Sequence, residues 1–96
     1  MKVRILRSAF LDLAEGRQFY GRQGEGLGDY FFDSLFSDID ALALYGGIHR
    51  NIQGFLRVIS KRFPYAIYYK LLNGEVIVFR VLDCRQDPKQ VDKALH

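Results

Sequence analysis

Asn73-Gly74 stands between two runs rich in β-branched and aromatic residues, Tyr65 to Leu72 (YAIYYKLL) and Glu75 to Leu82 (EVIVFRVL). An Asn-Gly pair accepts positive φ at both central positions of the tight turn whose twist matches that of paired strands, so it predicts a two-residue hairpin. An isolated hairpin is marginal in water and needs further strands and a covering layer. Gly54 to Ser60 (GFLRVIS) supplies a third strand, and Pro64, which cannot donate to a ladder, marks the boundary before Tyr65. Alternation places Ile67, Tyr69 and Leu71 with Ile77, Phe79 and Val81 on one face, which is uniformly apolar and expected to meet helices. Ala66, Tyr68 and Lys70 share the other face with Val76, Val78 and Arg80, a mixed surface expected to be partly wet or covered by a partner.

The N-terminal half supplies the covering layer. Lys2 to Leu6 (KVRIL) alternates as a short strand, and Ser8 stands where an N-cap belongs. Phe10, Leu13, Ala14 and Tyr20 fall near one helical face, interrupted by Gly16 at a cost of about 1 kcal/mol in propensity, so this helix depends on packing. Gly24, Gly26 and Gly28 break the chain; their spacing is not that of a phosphate-binding loop, and we read a helix–helix turn. Phe32, Leu35, Phe36, Ile39, Leu42 and Ala43 then form a wide apolar stripe on a second helix, with Asp29 near its start and Gly46-Gly47 at its end. Two helices joined by a short turn form an antiparallel hairpin. The order β-α-α-β-β-β predicts an α+β fold, a helical hairpin packed on one face of a small, mostly antiparallel sheet. The segment after Pro88 (KQVDKALH) reads as a single frayed helical turn.

Ninety-six residues are the size of one domain, spanning 1–96. No apolar run approaches the roughly 20 residues of a membrane span, MKVRILRSAF is too short and charged for a signal peptide, and one cysteine suits a reducing compartment. A cytoplasmic location without membrane contact is expected. Residues 1–47 carry five basic and seven acidic side chains, whereas residues 48–96 carry nine and four. This asymmetry predicts a one-sided positive surface of the kind that meets phosphate or an acidic protein. Two distant histidines and one cysteine offer no metal site, and no cofactor is expected.

Ala9, Asp12 and Leu13 in the order A-x-x-D-L, a second helix of F-x-x-x-L-x-x-x-I type, and a basic strand running into Phe63-Pro64-Tyr65-Ala66-Ile67-Tyr68-Tyr69 resemble the ParE/RelE toxin superfamily. The resemblance continues through Val76 to Leu82 and the segment Asp83-Cys84-Arg85-Gln86-Asp87-Pro88, and so covers nearly the whole chain. It implies a toxin of a bacterial type II toxin–antitoxin, or plasmid-stabilisation, module, in complex with a cognate antitoxin. RelE-like members cleave mRNA on the ribosome, and ParE-like members poison DNA gyrase without known catalytic residues of their own.

RNA cleavage through the 2′-hydroxyl needs a base, cations for the phosphate and an acid for the leaving oxygen. RelE-like members resemble one another in an Arg directly after the aromatic that opens the middle hairpin strand, where this chain has Ala66. They also have a Tyr about six residues past the Arg that follows the last strand; Arg85 retains that cation, but Val91 stands at the later position. The resemblance therefore favours the ParE-like branch, a growth inhibitor that binds gyrase. The expected target- or partner-binding residues are Arg57, Lys61, Arg62, Arg80 and Arg85, a positive patch on a rigid sheet. The alternative is a ribosome-dependent endoribonuclease using Arg85 with Arg57 or Lys61; a further one is a non-toxic domain that binds antitoxin or nucleic acid. His49 reads as a solvated loop residue without a partner, and Tyr65, Tyr68 and Tyr69 as packed strand residues. Phe31 and Tyr45 are expected to be exposed apolar positions that a partly disordered acidic antitoxin segment would cover.

Overall fold

A computed structural model describes residues 1–96. The chain runs β1 (Lys2–Ile5), α1 (Arg7–Gly21), α2 (Leu27–Asp40), α3 (Leu42–Tyr45), β2 (Arg50–Ile52), β3 (Phe55–Ile59), β4 (Tyr65–Leu72), β5 (Glu75–Asp83) and α4 (Pro88–Leu95). One five-stranded sheet has the order β1-β5-β4-β3-β2, with β1 parallel to β5 and every other pair antiparallel. The expected α+β architecture is present, with three additions: the edge strand β2, the short α3, and a full eight-residue α4 in place of a frayed turn. Asp87 caps α4 by accepting from Lys89 N at 2.9 Å, and Pro88 occupies its first turn.

The Asn73-Gly74 turn behaves as its chemistry requires, with φ of 51° and 76°. The faces of β5 do not follow simple alternation. Tyr68 pairs with Arg80 but the next residue, Tyr69, pairs with Val78, leaving Phe79 as an extra residue in a β-bulge. Val76 and Val78 join Tyr65, Ile67, Tyr69 and Val81 under the helical hairpin, while Phe79 packs on the opposite face with Phe55, Ala66, Tyr68 and Leu82. The expectation that Ile77 and Phe79 face the helices is corrected: the two-residue turn pairs Leu72 with Glu75 and so sets Val76 and Val78 opposite Leu71 and Tyr69, and the bulge then brings Val81 rather than Arg80 to that face.

The stripe on α2 is rotated toward its neighbours in the same way. Gly28, Phe31, Leu35 and Ile39 are buried, and Phe31 is 0% exposed, packed on Tyr20, Phe63 and Tyr65. Phe32 and Phe36 lie half-buried toward α1, where Arg17 covers the Phe32 ring and Phe10 meets Phe36. Phe31 is therefore a core residue rather than an exposed one. The hairpin closes tightly because Gly28 lacks a side chain: a Cβ there would stand 2.5 Å from the Arg17 carbonyl oxygen. On α1 the buried residues are Ala9, Leu13, Gly16 and Tyr20, while Phe10 and Ala14 face outward.

Parallel pairing with β1 ends at Ile5 opposite Val78, so β5 runs on with an open edge. Side chains of α1 replace the missing strand. Ser8 Oγ donates to the Phe79 carbonyl at 2.7 Å, and Asp12 Oδ2 accepts from Val81 N at 2.9 Å. Ser8 is consequently not the helix N-cap: Leu6 holds that position, and the Ser8 hydroxyl serves the sheet. Satisfying buried backbone groups outweighs a local cap worth about 1 kcal/mol.

Candidate functional site

Two cation groups emerge from the strands. The first is a row in register across four strands: Arg50 on β2 pairs with Arg57 on β3, Arg57 with Tyr68 on β4, and Tyr68 with Arg80 on β5. Residues in one such row share a face, here the one away from the helical hairpin. Lys70, two positions along β4, lies on the same face with its Nζ 4.6 Å from the Phe55 ring centroid and 5.4 Å from that of Phe79. Placing Arg50 opposite Arg57 sets like charges side by side, a destabilising pairing that a bound anion would relieve.

Arg80 is the tied member of the row. Its Nε and Nη2 form a fork with Asp12 at 2.8 and 2.9 Å, and Nη1 donates to the Ala94 carbonyl at 3.0 Å. The Asp12 hydrogen bond holds the Arg80 guanidinium's pKa above its ordinary value, against the effect of burial. Arg80 therefore ties α1 and α4 to β5. It is not a free contact residue.

The second group gathers at the end of the sheet. The β3–β4 turn carries Lys61 and Arg62, and Cys84 N donates to the Pro64 carbonyl at 2.8 Å, which brings Arg85 beside that turn. Arg62 lies over Tyr30 at 5.9 Å from the ring centroid, and Lys61 N donates to Asp38 on α2 at 3.3 Å. Arg85 donates to both oxygens of Asp83 and to the Tyr20 hydroxyl. Its bonds to Asp83 raise the pKa of Arg85 and lower that of Asp83, so the pair stays ionised. Cys84 is exposed, with its thiol raised mainly by desolvation and only partly offset by Arg57; it is no activated nucleophile.

Chemically, these groups can hold anions, and the two carboxylates beside them are engaged, Asp38 by Ser60 and Lys61 N and Asp83 by Arg85. Ala66 and Val91 belong to the apolar contact between the sheet and α4, with Phe55, Tyr68 and Leu95 around them. His49 has a partner after all: its Nδ1 hydrogen-bonds the buried Tyr69 hydroxyl, which also accepts from Gly47 N at 2.9 Å. The imidazole anchors the loop before β2. Tyr65, Tyr68 and Tyr69 are all buried, in keeping with a packing role for their rings. No group of three or more His, Cys, Asp or Glu side chains is arranged to hold a metal ion. No helix is long and apolar enough to cross a membrane.

Arg50 escaped the sequence reading because a three-residue strand carries no detectable alternation; its partner Arg57 is its only signal. Exposed apolar groups form two further surfaces. Phe10, Leu11 and Phe32 line a groove of about 880 Å3 on the outside of the hairpin, between Arg7 and Arg17. Leu44, Tyr45 and Ile48 project around α3, with Tyr45 exposed as expected.

No protein-family model and no curated protein matches the sequence. Among solved structures, the chain is similar to one described as the chromosomal ParDE TA system from P. aeruginosa, with a TM-score of 0.73 and 17% identity over 84% of this chain and 92% of that chain. At this identity the likeness is one of fold. The fold implied by the ParE/RelE resemblance is the fold this chain has.

Proposed function

We propose that the chain is a ParE-like toxin of a type II toxin–antitoxin pair, acting in the cytoplasm, held inactive by a cognate antitoxin and inhibiting growth by binding a host target, DNA gyrase, rather than by cutting RNA itself. The observation that carries the non-catalytic reading is the fate of Ala66 and Val91, where RelE-like members carry functional side chains: here Ala66 on the sheet and Val91 on α4 belong to one apolar contact. The fold shared with a ParDE structure supports the module. The cations proposed to meet the target are Arg57 on the open face, joined by Arg50, and Lys61, Arg62 and Arg85 at the end of the sheet. Arg80 serves to position α4 and the row beside it. Positive charge on the sheet and in the turns at its end favours fast, salt-sensitive encounter with an acidic surface.

Purified protein added to gyrase and relaxed plasmid is expected to block supercoiling or trap a cleavage complex. Combined Arg57→Ala and Arg85→Ala substitution is expected to weaken the effect at least about tenfold while leaving the fold intact. Unchanged supercoiling over a wide range of protein concentration overturns the gyrase target. The row Arg50–Arg57–Tyr68 supports one second reading, a ribosome-dependent endoribonuclease. Codon-positioned cuts in a toeprinting assay, abolished by Arg57→Ala, would establish that reading instead.

A further inference from the structure

Between α1, the C-terminal end of β5 and α4 lies a polar cleft of about 560 Å3, to which neither cation group contributes a free charge. Three carboxylates line it, Asp12, Glu15 and Asp83, and two of them are committed. Asp12 accepts from Arg80 and Val81 N, and Asp83 from Arg85. Glu15 enters none of the protein's ion pairs.

The wall of the cleft holds a second unspent group. Tyr65 is 8% exposed, with its ring packed against Tyr20 and Phe31, yet its hydroxyl enters none of the side-chain hydrogen bonds. Every fully buried polar side-chain atom in the protein has a partner, so this hydroxyl keeps some exposure, and Tyr65 is one of the residues that line the cleft. A nearly buried polar group beside an open space marks a place for a ligand.

The local field selects the ligand's sign. Burial, followed by the negative charge of Asp83, pushes Tyr65 up to about 12, with Glu15 acting in the same direction and Arg85 opposing. The hydroxyl therefore stays protonated, and the charges that line the cleft, three carboxylates (Asp12, Glu15 and Asp83) against two cations (Arg80 and Lys93), favour a donor-rich cation over an anion. Phe19, 44% exposed, provides an aromatic surface on the same cleft. A planar guanidinium can stack on such a ring while its N–H groups donate sideways, which a compact ammonium does less well.

We propose that this cleft is a binding site for an arginine side chain of a protein partner, with the guanidinium stacked on Phe19 and donating to the Glu15 carboxylate and the Tyr65 hydroxyl oxygen. The amides of Gln86 and Gln90 on the rim are suited to hydrogen-bond the partner's backbone on either side. Lys93, an ammonium on the same rim without an ion pair, competes with the incoming cation and restrains affinity. The site rests on the chemistry of the cleft alone, and stands whether or not the chain poisons gyrase.

The test is an amide-shift NMR titration of the full-length protein with N-acetyl-L-arginine amide, beside the uncharged N-acetyl-L-norleucine amide. The arginine probe is expected to shift Glu15, Gly16, Phe19 and Gln90 saturably, in the millimolar range typical of a single side chain (Kd about 1 mM). Glu15→Gln is expected to weaken binding about tenfold, Tyr65→Phe a few-fold, and Lys93→Gln to strengthen it about two- to threefold. Thermal melts establish that each variant is folded; Tyr65→Phe keeps the packed ring. Equal binding of the norleucine probe, shifts that never saturate or fall on the open sheet face, or an affinity indifferent to Glu15→Gln would each overturn the proposal.

Discussion

The two faces of the sheet are built to different ends. Beneath the helical hairpin, Tyr65, Ile67, Tyr69, Val76, Val78 and Val81 meet Leu13, Phe31, Leu35 and Ile39 in one continuous apolar cluster. On the other face a smaller cluster around Phe55, Tyr68 and Leu82 is covered only by Val91, Ala94 and Leu95 of an eight-residue helix, with Arg57 and Lys70 alongside. One face closes the core. The other buries less and leaves Arg57 and Lys70 on a stiff support, as the proposed role in binding requires. The polar cleft lies at the seam between them, where α1 and α4 approach the same end of β5.

Phe31→Ala should produce the largest effect, because it empties the centre of the first face. A loss of about 3–5 kcal/mol is expected in urea denaturation, with global unfolding well below the wild-type midpoint. A loss below about 1 kcal/mol would mean that the hairpin face is not the main core.

Asp12→Asn strikes the seam. It removes the carboxylate that holds Arg80 and Val81 N, leaving a half-buried guanidinium with one carbonyl partner. A loss of about 2–3 kcal/mol is expected, together with faster amide exchange in α4 and at the end of β5. Loss of stability without any change in α4 exchange would separate the seam from the second face.

The pH dependence of the seam has a definite sign. Tyr65 is pushed up to about 12 in the folded chain, against an ordinary value near 10. Folding therefore retains a proton that the unfolded chain releases. The corresponding stability is whole below about pH 10 and is lost as pH rises through about 12, amounting to about 1–2 kcal/mol. Tyrosinate absorbance should lose a late-titrating component in Tyr65→Phe.

Val91→Ser tests the thin cover of the second face. A loss of about 1 kcal/mol is expected, with α4 exchanging freely while α1 and α2 remain protected. Uniform loss of protection through the whole chain would show that the two faces unfold as one, and that α4 belongs to the main core.

The legible and illegible parts of this chain divide by the range of the interactions involved. Asn73-Gly74 announced its turn because the conformational preference lies in the two residues themselves, and the φ values follow. The helical hairpin was visible as a period, although its centre was misplaced toward Phe32 and Phe36. Only packing against Tyr20 and Phe63 shows that Phe31 faces inward. Among the candidate cations, Arg57 kept an open position. Arg80 turned inward to Asp12, 68 residues away in sequence, and no local pattern carries that distance.

What the amino-acid order determined by itself was the class of fold, the tight turn at Asn73-Gly74 and the basic character of the C-terminal half. These follow from backbone preference, periodicity and net charge, all of which act locally or as simple sums. The tertiary structure alone decided which cations are free, where the bulge at Phe79 exchanges the faces of β5, and that Glu15 and Tyr65 share a cleft. Those outcomes depend on which distant groups satisfy one another's hydrogen bonds and charges once the open edge of β5 has been met by α1.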